Sequence, residues 1–256
     1  MRILIKLTVQ KKCSYDASYF NKLQGFVYNL LKNTEYQKLH DLKGYKFFCF
    51  SNIFPCSQKN PLEEGALKHL MISSPDRMFI EILHNELKKK IGETVNIGEM
   101  QFSLKELQII KTQLHNSCVV STATPIIIRI PKNRYEEYSI ESQRNYEFWR
   151  PEHDFNAFIK QLSENIVKKY NTFYEKDACV NIFQQFDFRG TYPINVLIEN
   201  EKQIFIGSYW KFIFTNLNRE QSKILRFGID CGFGELNTLG FGFVNIEKSL
   251  GKNTND

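Results

Sequence analysis

The sequence lacks the short motifs that mark most metal, redox and acyl-transfer sites. Its six cysteines stand singly, with no Cys-x-x-Cys pair, which argues against zinc ribbons and indicates reduced, buried thiols in a cytosolic protein. None of the five histidines belongs to a His-x-His or His-Glu-x-x-His motif, so we predict no metal ion and no cofactor. The Gly-x-Ser-x-Gly elbow of many acyl-transfer enzymes is also missing.

Long apolar runs are missing as well. No stretch approaches the roughly 18 residues of a membrane span, and the chain starts directly with a strand pattern, so we expect a cytoplasmic protein without a signal peptide. What the 256 residues do contain is 42% hydrophobic residues and 22 Phe, enough for one large or two smaller cores. A net charge of +6 fits a nucleic-acid partner but does not require one.

Hydrophobic periodicity in the first half predicts the order β-α-β-β-α-β, which is typical of a ferredoxin-like unit. Alternation of Ile3, Ile5, Leu7 and Val9 predicts the first strand, and a helical stripe follows from Tyr19. The remaining predictions are strands over Lys46–Phe54 and Leu67–Ser73, a helix from Pro75 to Gly92, and a strand within Glu99–Ile110.

The second half repeats this order without repeating the sequence. The predicted elements are strands over Val119–Ile130, Val180–Phe188 and Ile204–Phe214, a possible strand over Ile194–Ile198, helices over Pro151–Tyr170 and Asn218–Asp230, and a last strand from Phe241. Pro131–Arg150 resembles an insertion. We therefore predict an α+β protein of two tandem ferredoxin-like, RRM-like domains, over residues 1–116 and 117–248, and a polar tail over 249–256.

A glycine-rich loop near the C-terminus is the most informative motif. Gly232, Gly234, Gly240 and Gly242 form two Gly-Phe-Gly units around Glu-Leu-Asn-Thr. Glycine lets a ligand approach the backbone closely, and such a loop can direct several N–H groups at phosphate oxygens. No Lys-Ser or Lys-Thr closes it as in a Walker A loop, and Asn237 stands where a dinucleotide fingerprint needs its third glycine. The loop is either a polyanion-binding loop or a turn before the last strand.

Two further residues are candidates for chemistry. His40 ends the first helical region and is followed by Lys43 and Lys46, so it can act as a general acid while the cations hold a phosphate. The alternative is a histidine at a helix C-terminus with solvated lysines. Tyr28 lies off the apolar stripe of the first helix, and Gly25 clears space beside it; the alternative is an ordinary amphipathic tyrosine at the edge of the stripe.

Taken together, these segments resemble a CRISPR repeat-processing endoribonuclease of the Cas-six family, in the RAMP superfamily. The resemblance covers the opening strand Met-Arg-Ile-Leu-Ile-Lys-Leu, the helix Leu-Gln-Gly-Phe-Val-Tyr-Asn-Leu-Leu from Leu23, and the Leu-His motif at Leu39. It also covers Thr-Ala-Thr-Pro-Ile-Ile-Ile-Arg from Thr122 and the glycine-rich loop, which is its most specific element.

The resemblance implies metal-independent cleavage of repeat RNA by attack of a 2′-hydroxyl, which yields a 2′,3′-cyclic phosphate and a 5′-hydroxyl. It assigns His40 as the acid for the leaving 5′-oxygen. Tyr28 would activate or position the 2′-hydroxyl, and Lys46 would stabilise the phosphorane charge. The implied partners are precursor and processed guide RNA, with interference-complex subunits as further partners of a monomer or homodimer. The glycine loop and Lys43 would contact the RNA.

A basic cluster adds possible RNA contacts. Arg129, Lys132 and Arg134 stand near Tyr135 and Tyr138, a mixture that suits phosphate contacts and base stacking, although nearby glutamates could make it a solvated hairpin. Two other functions stay open: a subunit that binds repeat or guide RNA without cutting it, and an unrelated enzyme that holds a phosphate ligand in the glycine loop.

Overall fold

The computed structural model describes residues 1–14, 19–55, 61–198 and 201–249. The chain divides into two compact units. Unit 1 consists of Met1–Lys111, Asn195–Ile204 and Thr238–Gly240, and unit 2 of Thr112–Ile194, Phe205–Asn237 and Phe241–Asp256. The predicted polar tail lies outside the described residues from position 250 onward.

The first half of the chain forms a five-stranded antiparallel sheet with two helices. Its elements are β1 (Arg2–Val9), α1 (Tyr19–Leu30), a 3-10 turn (Gln37–His40), β2 (Cys49–Phe50), β3 (Leu67–Ser73), α2 (Arg77–Lys88), β4 (Thr94–Ile97) and β5 (Met100–Ile110). The strand order is β2-β3-β1-β5-β4. Apart from the edge strand β4, this is the arrangement of a ferredoxin-like unit.

Local sequence explains the central elements of this sheet. Strand β1 pairs with β3 on one edge and β5 on the other. Its alternating residues Ile3, Ile5 and Leu7 are fully buried, so one face of the strand lies in the core. Helix α2 begins after Asp76, whose carboxylate accepts hydrogen bonds from the backbone N–H groups of Met78 and Phe79.

In this half one predicted strand needs correction and one strand was missed. The strand predicted over Lys46–Phe54 is only Cys49–Phe50, because Phe47 has a left-handed φ of 49° that breaks the extended backbone before it. Strand β4 was not predicted. It pairs with β5 across a tight turn at Gly98, whose φ is 62°.

The second half forms a sheet of the same order. Its elements are β6 (Cys118–Thr122), β7 (Ile126–Ile127), β8 (Arg129–Pro131), β9 (Tyr146–Phe148), α3 (Phe155–Tyr174), β10 (Gln185–Ile198), β11 (Glu201–Phe214), α4 (Arg219–Cys231) and β12 (Val244–Ser249). The main path runs β10-β11-β6-β12, and β8 and β9 form a separate hairpin. The predicted α+β class with two ferredoxin-like folds is confirmed.

The boundaries in this half also differ from the predictions. The strand predicted over Val119–Ile130 is three short strands, because Pro125 cannot donate to a ladder and interrupts it. The strands predicted over Val180–Phe188 and Ile194–Ile198 are one strand, β10. Helix α3 begins four residues later than predicted, after the capping side chain of Asp154.

Aromatic side chains fill both cores. In unit 1, Phe48 stacks on Phe79 with ring centroids 5.2 Å apart. In unit 2, Trp210 stacks on Phe158 at 4.2 Å and contacts Trp149 at 5.3 Å. Within the described residues, no helix has the length and apolar character needed to cross a bilayer.

Candidate active site

Tyr28 is placed by the last turns of α1, within unit 1. Its ring lies edge-on to Phe48, with centroids 5.9 Å apart, and edge-on to the His40 ring, with centroids 5.1 Å apart and an interplanar angle of 81°. Burial raises the pKa of Tyr28 to about 12, and the nearby Thr238 side chain offsets part of this rise. The phenol is therefore protonated at neutral pH and is not a ready base.

His40 ends the 3-10 turn and is open to solvent, with 68% of its side chain exposed. Its Nδ1 lies 2.7 Å from Oδ1 of Asp41. Because a carboxylate only accepts hydrogen bonds, Nδ1 is the donor in this pair, which leaves Nε2 as the ring atom that can exchange a proton with a bound molecule.

Lys46 forms hydrogen bonds with both Tyr28 and His40. Its Nζ donates to the backbone oxygen of His40 at 2.7 Å and to the Tyr28 hydroxyl at 3.2 Å. Burial lowers the pKa of Lys46, and the nearby Asp41 carboxylate partly offsets this effect. Tyr28, His40 and Lys46 thus meet within unit 1, whereas Lys43 is an exposed residue of the intervening loop.

The glycines of the C-terminal loop are required by backbone shape and by packing. Gly232, Gly234, Gly240 and Gly242 have φ of 94°, 67°, 86° and 73°, the left-handed region in which other residues are strained. All four are buried, and a Cβ at Gly242 would collide with the backbone oxygen of Phe233. Two backbone amides of this loop form hydrogen bonds within the protein: Gly232 N–H donates to Gly228 O, and Gly242 N–H donates to Pro125 O. Their contact with RNA stays a prediction.

A buried lysine holds the part of this loop that lies in unit 2. Lys169 of α3 is 2% exposed. Its Nζ donates to Gly232 O at 2.7 Å, Gly234 O at 3.0 Å and Asn237 Oδ1 at 2.9 Å. The amide nitrogen of Asn237 in turn donates to two further loop carbonyls, those of Phe233 and Phe241.

The tip of the loop, Thr238–Gly240, belongs to unit 1. Thr238 Oγ1 accepts a hydrogen bond from Gln24 Nε2 of α1 at 3.5 Å. Gly240 lies against the buried ring of Phe50, so that an added Cβ would be 2.8 Å from Cδ2 of that ring.

The predicted basic cluster is largely paired with carboxylates of unit 2. Arg129 Nε donates to Glu235 at 2.5 Å, and its guanidinium lies 4.9 Å from the centre of the Tyr146 ring. Arg134 donates to Glu164 at 2.6 Å. Lys132 is exposed. Arg129 and Arg134 are half-buried, so Lys132 is the most exposed of the three, and the contact of these cations with RNA stays a prediction.

Comparison with known proteins decides the family. The protein-family model described as "CRISPR associated protein Cas6, C-terminal" matches residues 104–246, more than half of the chain. The CRISPR-associated endoribonuclease Cas6 2 of Methanocaldococcus jannaschii is 34% identical over 253 residues, which cover 96% of this chain and 99% of that protein. The chain belongs to the CRISPR-associated Cas6 family.

A second relative and a solved structure are also similar to this chain. The CRISPR-associated endoribonuclease Cas6 of Haloferax mediterranei is 28% identical over 257 residues, 96% of this chain and 93% of that protein. Both curated relatives are endoribonucleases by name, which agrees with the predicted enzyme class. Among solved structures, "An RAMP protein binding different RNA substrates" matches with a TM-score of 0.75 at 23% identity, over 97% of this chain and 100% of that one. This last likeness concerns the fold.

Several residues with structural roles in one or the other unit were not singled out from the sequence. Asp41 follows His40 directly, and a carboxylate beside a histidine was a signal that could have been used. Thr238 was noted only as part of the polar middle of the glycine loop, and Asn237 as the residue that excludes a dinucleotide fingerprint. Lys169 carried no signal, because a lysine on an amphipathic helix is usually exposed. Within the described residues, no group of three or more His, Cys, Asp or Glu side chains could hold a metal ion.

Proposed function

We propose that this Cas6 protein cuts CRISPR repeat RNA in precursor transcripts in the cytoplasm, without a metal ion, and releases guide RNAs. The 2′-oxygen upstream of the scissile phosphate attacks phosphorus in line, and its proton leaves to solvent. The bond from phosphorus to the 5′-oxygen breaks, and His40, as an imidazolium with N–H groups at both ring nitrogens, gives the Nε2 proton to that oxygen and becomes the neutral ring. The products are a 2′,3′-cyclic phosphate and a 5′-hydroxyl.

The observation that carries this proposal is the double contact of Lys46. One ammonium group lies 2.7 Å from the backbone oxygen of His40 and 3.2 Å from the Tyr28 hydroxyl. A positive charge held against the backbone of the acid residue and the phenol is suitably placed to stabilise the extra negative charge of a phosphorane. Tyr28 positions the 2′-hydroxyl, since a phenol with a pKa of about 12 is scarcely ionised at neutral pH.

Asp41 supports the acid. Its carboxylate accepts from Nδ1 of His40 at 2.7 Å and directs Nε2 to the leaving oxygen. Because both side chains are exposed, at 68% and 84%, this pair orients the ring more than it stabilises the fold.

The test is cleavage of labelled cognate repeat RNA in EDTA by the parent protein, His40→Ala and His115→Ala. His115 is exposed like His40 and therefore serves as a matched control. We expect one cleavage site, a loss of about 10²- to 10⁴-fold in His40→Ala, and parental activity in His115→Ala. Tight binding of the repeat without cleavage by the parent protein would instead identify an RNA-binding subunit.

A further inference from the structure

Phe47, the residue after Lys46, has an unusual backbone conformation. Its φ is 49°, in the left-handed region that a bulky side chain rarely adopts. Such strain persists only where the surrounding structure holds the backbone, and it is often found at active sites. The next residue, Phe48, is fully buried and stacks on Phe79, which anchors the chain on that side. The conformation of Phe47 therefore determines where Lys46 lies relative to the core.

A buried serine holds this conformation. Ser74 is 1% exposed and lies between β3 and α2. Its hydroxyl donates to the backbone oxygen of Phe47 at 2.6 Å and accepts from the backbone N–H of Asp76 at 3.1 Å. Its own backbone N–H donates to Met1 O at 3.0 Å. The Ser74 hydroxyl is therefore fixed in place, and it orients the peptide group that follows Phe47.

Both chain neighbours of Phe47 contact the candidate site. On one side, Lys46 Nζ donates to the Tyr28 hydroxyl at 3.2 Å and to His40 O at 2.7 Å. On the other side, the Phe48 ring lies edge-on to Tyr28, with centroids 5.9 Å apart. With Phe48 anchored, a change of Phe47 to an ordinary negative φ would turn the preceding chain by roughly 100° or more. That turn would take the Lys46 ammonium away from both oxygens.

We propose that Ser74 is a positioning residue of the cleavage site, which holds Phe47 in the left-handed conformation that places Lys46. This inference rests on the proposed function and extends it to a residue of the core. Ser74 acts through the backbone, since it is too deeply buried to reach an RNA. Its loss should affect the rate of cleavage rather than RNA affinity, because the charge of Lys46 acts on the transition state.

The test is single-turnover cleavage of the repeat RNA, measured together with the Kd. Ser74→Ala removes the hydroxyl. Ser73→Ala is the matched control, because Ser73 is also buried and its hydroxyl donates to a different carbonyl, Cys49 O, at 3.5 Å. We expect Ser74→Ala to slow cleavage about tenfold, as for one lost buried hydrogen bond, with a Kd within about twofold of the parent. Ser73→Ala should cleave within about twofold of the parent rate.

Two double-mutant cycles separate the placement of Lys46 from a general loss of structure. In a Lys46→Met background, Ser74→Ala should change the remaining rate by less than about twofold, because the group that it places is gone. In a Phe47→Gly background, the loss caused by Ser74→Ala should fall below about threefold, because glycine adopts a positive φ without strain.

A second pair of variants leaves Ser74 in place and tests the inference even if Ser74→Ala does not fold. A branched side chain at position 47 disfavours the left-handed conformation more than phenylalanine does. Phe47→Val should therefore cleave more slowly than Phe47→Gly. Equal rates for these two variants would mean that the conformation of Phe47 does not govern cleavage, which would overturn the inference.

Three results with the serine variants would also overturn it. They are a parental rate in Ser74→Ala, an equal loss in Ser73→Ala, and an undiminished loss of Ser74→Ala in either double-mutant background. The last result would mean that Ser74 supports the fold alone. Loss of cleavage in His40→Ala together with a parental rate in Ser74→Ala would leave the proposed function standing and remove Ser74 from it.

A spectroscopic readout separates this inference from the proposed function. In protein with ¹³Cε-labelled lysine and no RNA, Ser74→Ala should move the Lys46 resonance, assigned from Lys46→Met, and Ser73→Ala should leave it in place. This resonance reports on the placement of Lys46 even if the parent protein cleaves no RNA, a result that would refute the proposed function by itself. An unmoved Lys46 resonance in Ser74→Ala would refute the role given to Ser74.

Discussion

Replacing Lys169 by Met tests whether a buried ammonium group holds the glycine-rich loop of unit 2. Lys169→Met keeps the unbranched side chain but removes the donor to Gly232 O, Gly234 O and Asn237 Oδ1. Each buried acceptor left without its partner costs about 1 to 3 kcal/mol, and loss of one member of a buried charged network typically costs about 3 to 5 kcal/mol. We therefore expect a loss near 3 to 5 kcal/mol. For a chain of this size that is a fall in Tm of about 6 to 20 °C.

The assay is thermal unfolding followed by circular dichroism. Lys168→Met is the matched control, because its side chain is exposed and one position away on the same helix. The control should melt within about 2 °C of the parent protein, as expected for an exposed site. A Lys169→Met protein that melts with the parent, or a Lys168→Met protein that loses as much, would refute the role assigned to Lys169.

Three further predictions concern glycine, charge and thiol chemistry. Gly242→Ala should destabilise the protein by more than about 2 kcal/mol, because φ at Gly242 is 73° and the added Cβ collides with Phe233 O. Gly25→Ala on α1 should instead stabilise it by about 0.5 to 1 kcal/mol, because nothing lies near the added Cβ and alanine favours the helix. Lys132→Ala should reduce the slope of log K for RNA binding against log[salt] by about 0.7 to 0.9, the value for one lost phosphate contact. At pH 8 iodoacetamide should label the exposed Cys179 but not the buried Cys118, because burial raises the pKa of Cys118 to about 11 and leaves about one thiolate in a thousand.

Each of these predictions has a result that would contradict it. Equal Tm values for Gly242→Ala and Gly25→Ala would mean that the tight contact at Gly242 relaxes easily. Lys176→Ala, at another exposed lysine of unit 2, is the control for Lys132→Ala, and an equal change of slope in both would count against a specific contact. Mass mapping that found Cys118 alkylated as fast as Cys179 in the folded protein would contradict its burial.

The strand and helix order was predictable because the periodic elements are regular. The alternation in β1 and the capping residues before α2 and α4 are local signals, and these elements lie close to their predicted positions. Breaks in the backbone were harder to foresee. Phe47 adopts a left-handed φ that its residue type does not favour, so the short strand β2 follows from tertiary packing.

Residues of the candidate site that lie in one short segment of the chain were predictable. Contacts between segments far apart in the chain were not. Tyr28, His40 and Lys46 lie within 19 residues of each other, and the structure brings them together through Lys46. Thr238, which contacts Gln24 of α1, comes from a segment 214 positions further along the chain, and no periodicity or spacing links the two. The same holds for Lys169, whose burial depends on carbonyl groups of a loop about 65 residues away in the chain.

The ends of the RNA products test the central claim most directly. After cleavage of the cognate repeat in EDTA, mass spectrometry should find a 2′,3′-cyclic phosphate on the upstream fragment and a 5′-hydroxyl on the downstream fragment. A substrate with a 2′-deoxy sugar at the scissile position should stay intact, because it lacks the nucleophile. A 3′-hydroxyl with a 5′-phosphate, or cleavage of the deoxy substrate, would contradict attack by the 2′-hydroxyl and the roles given to His40, Tyr28 and Lys46.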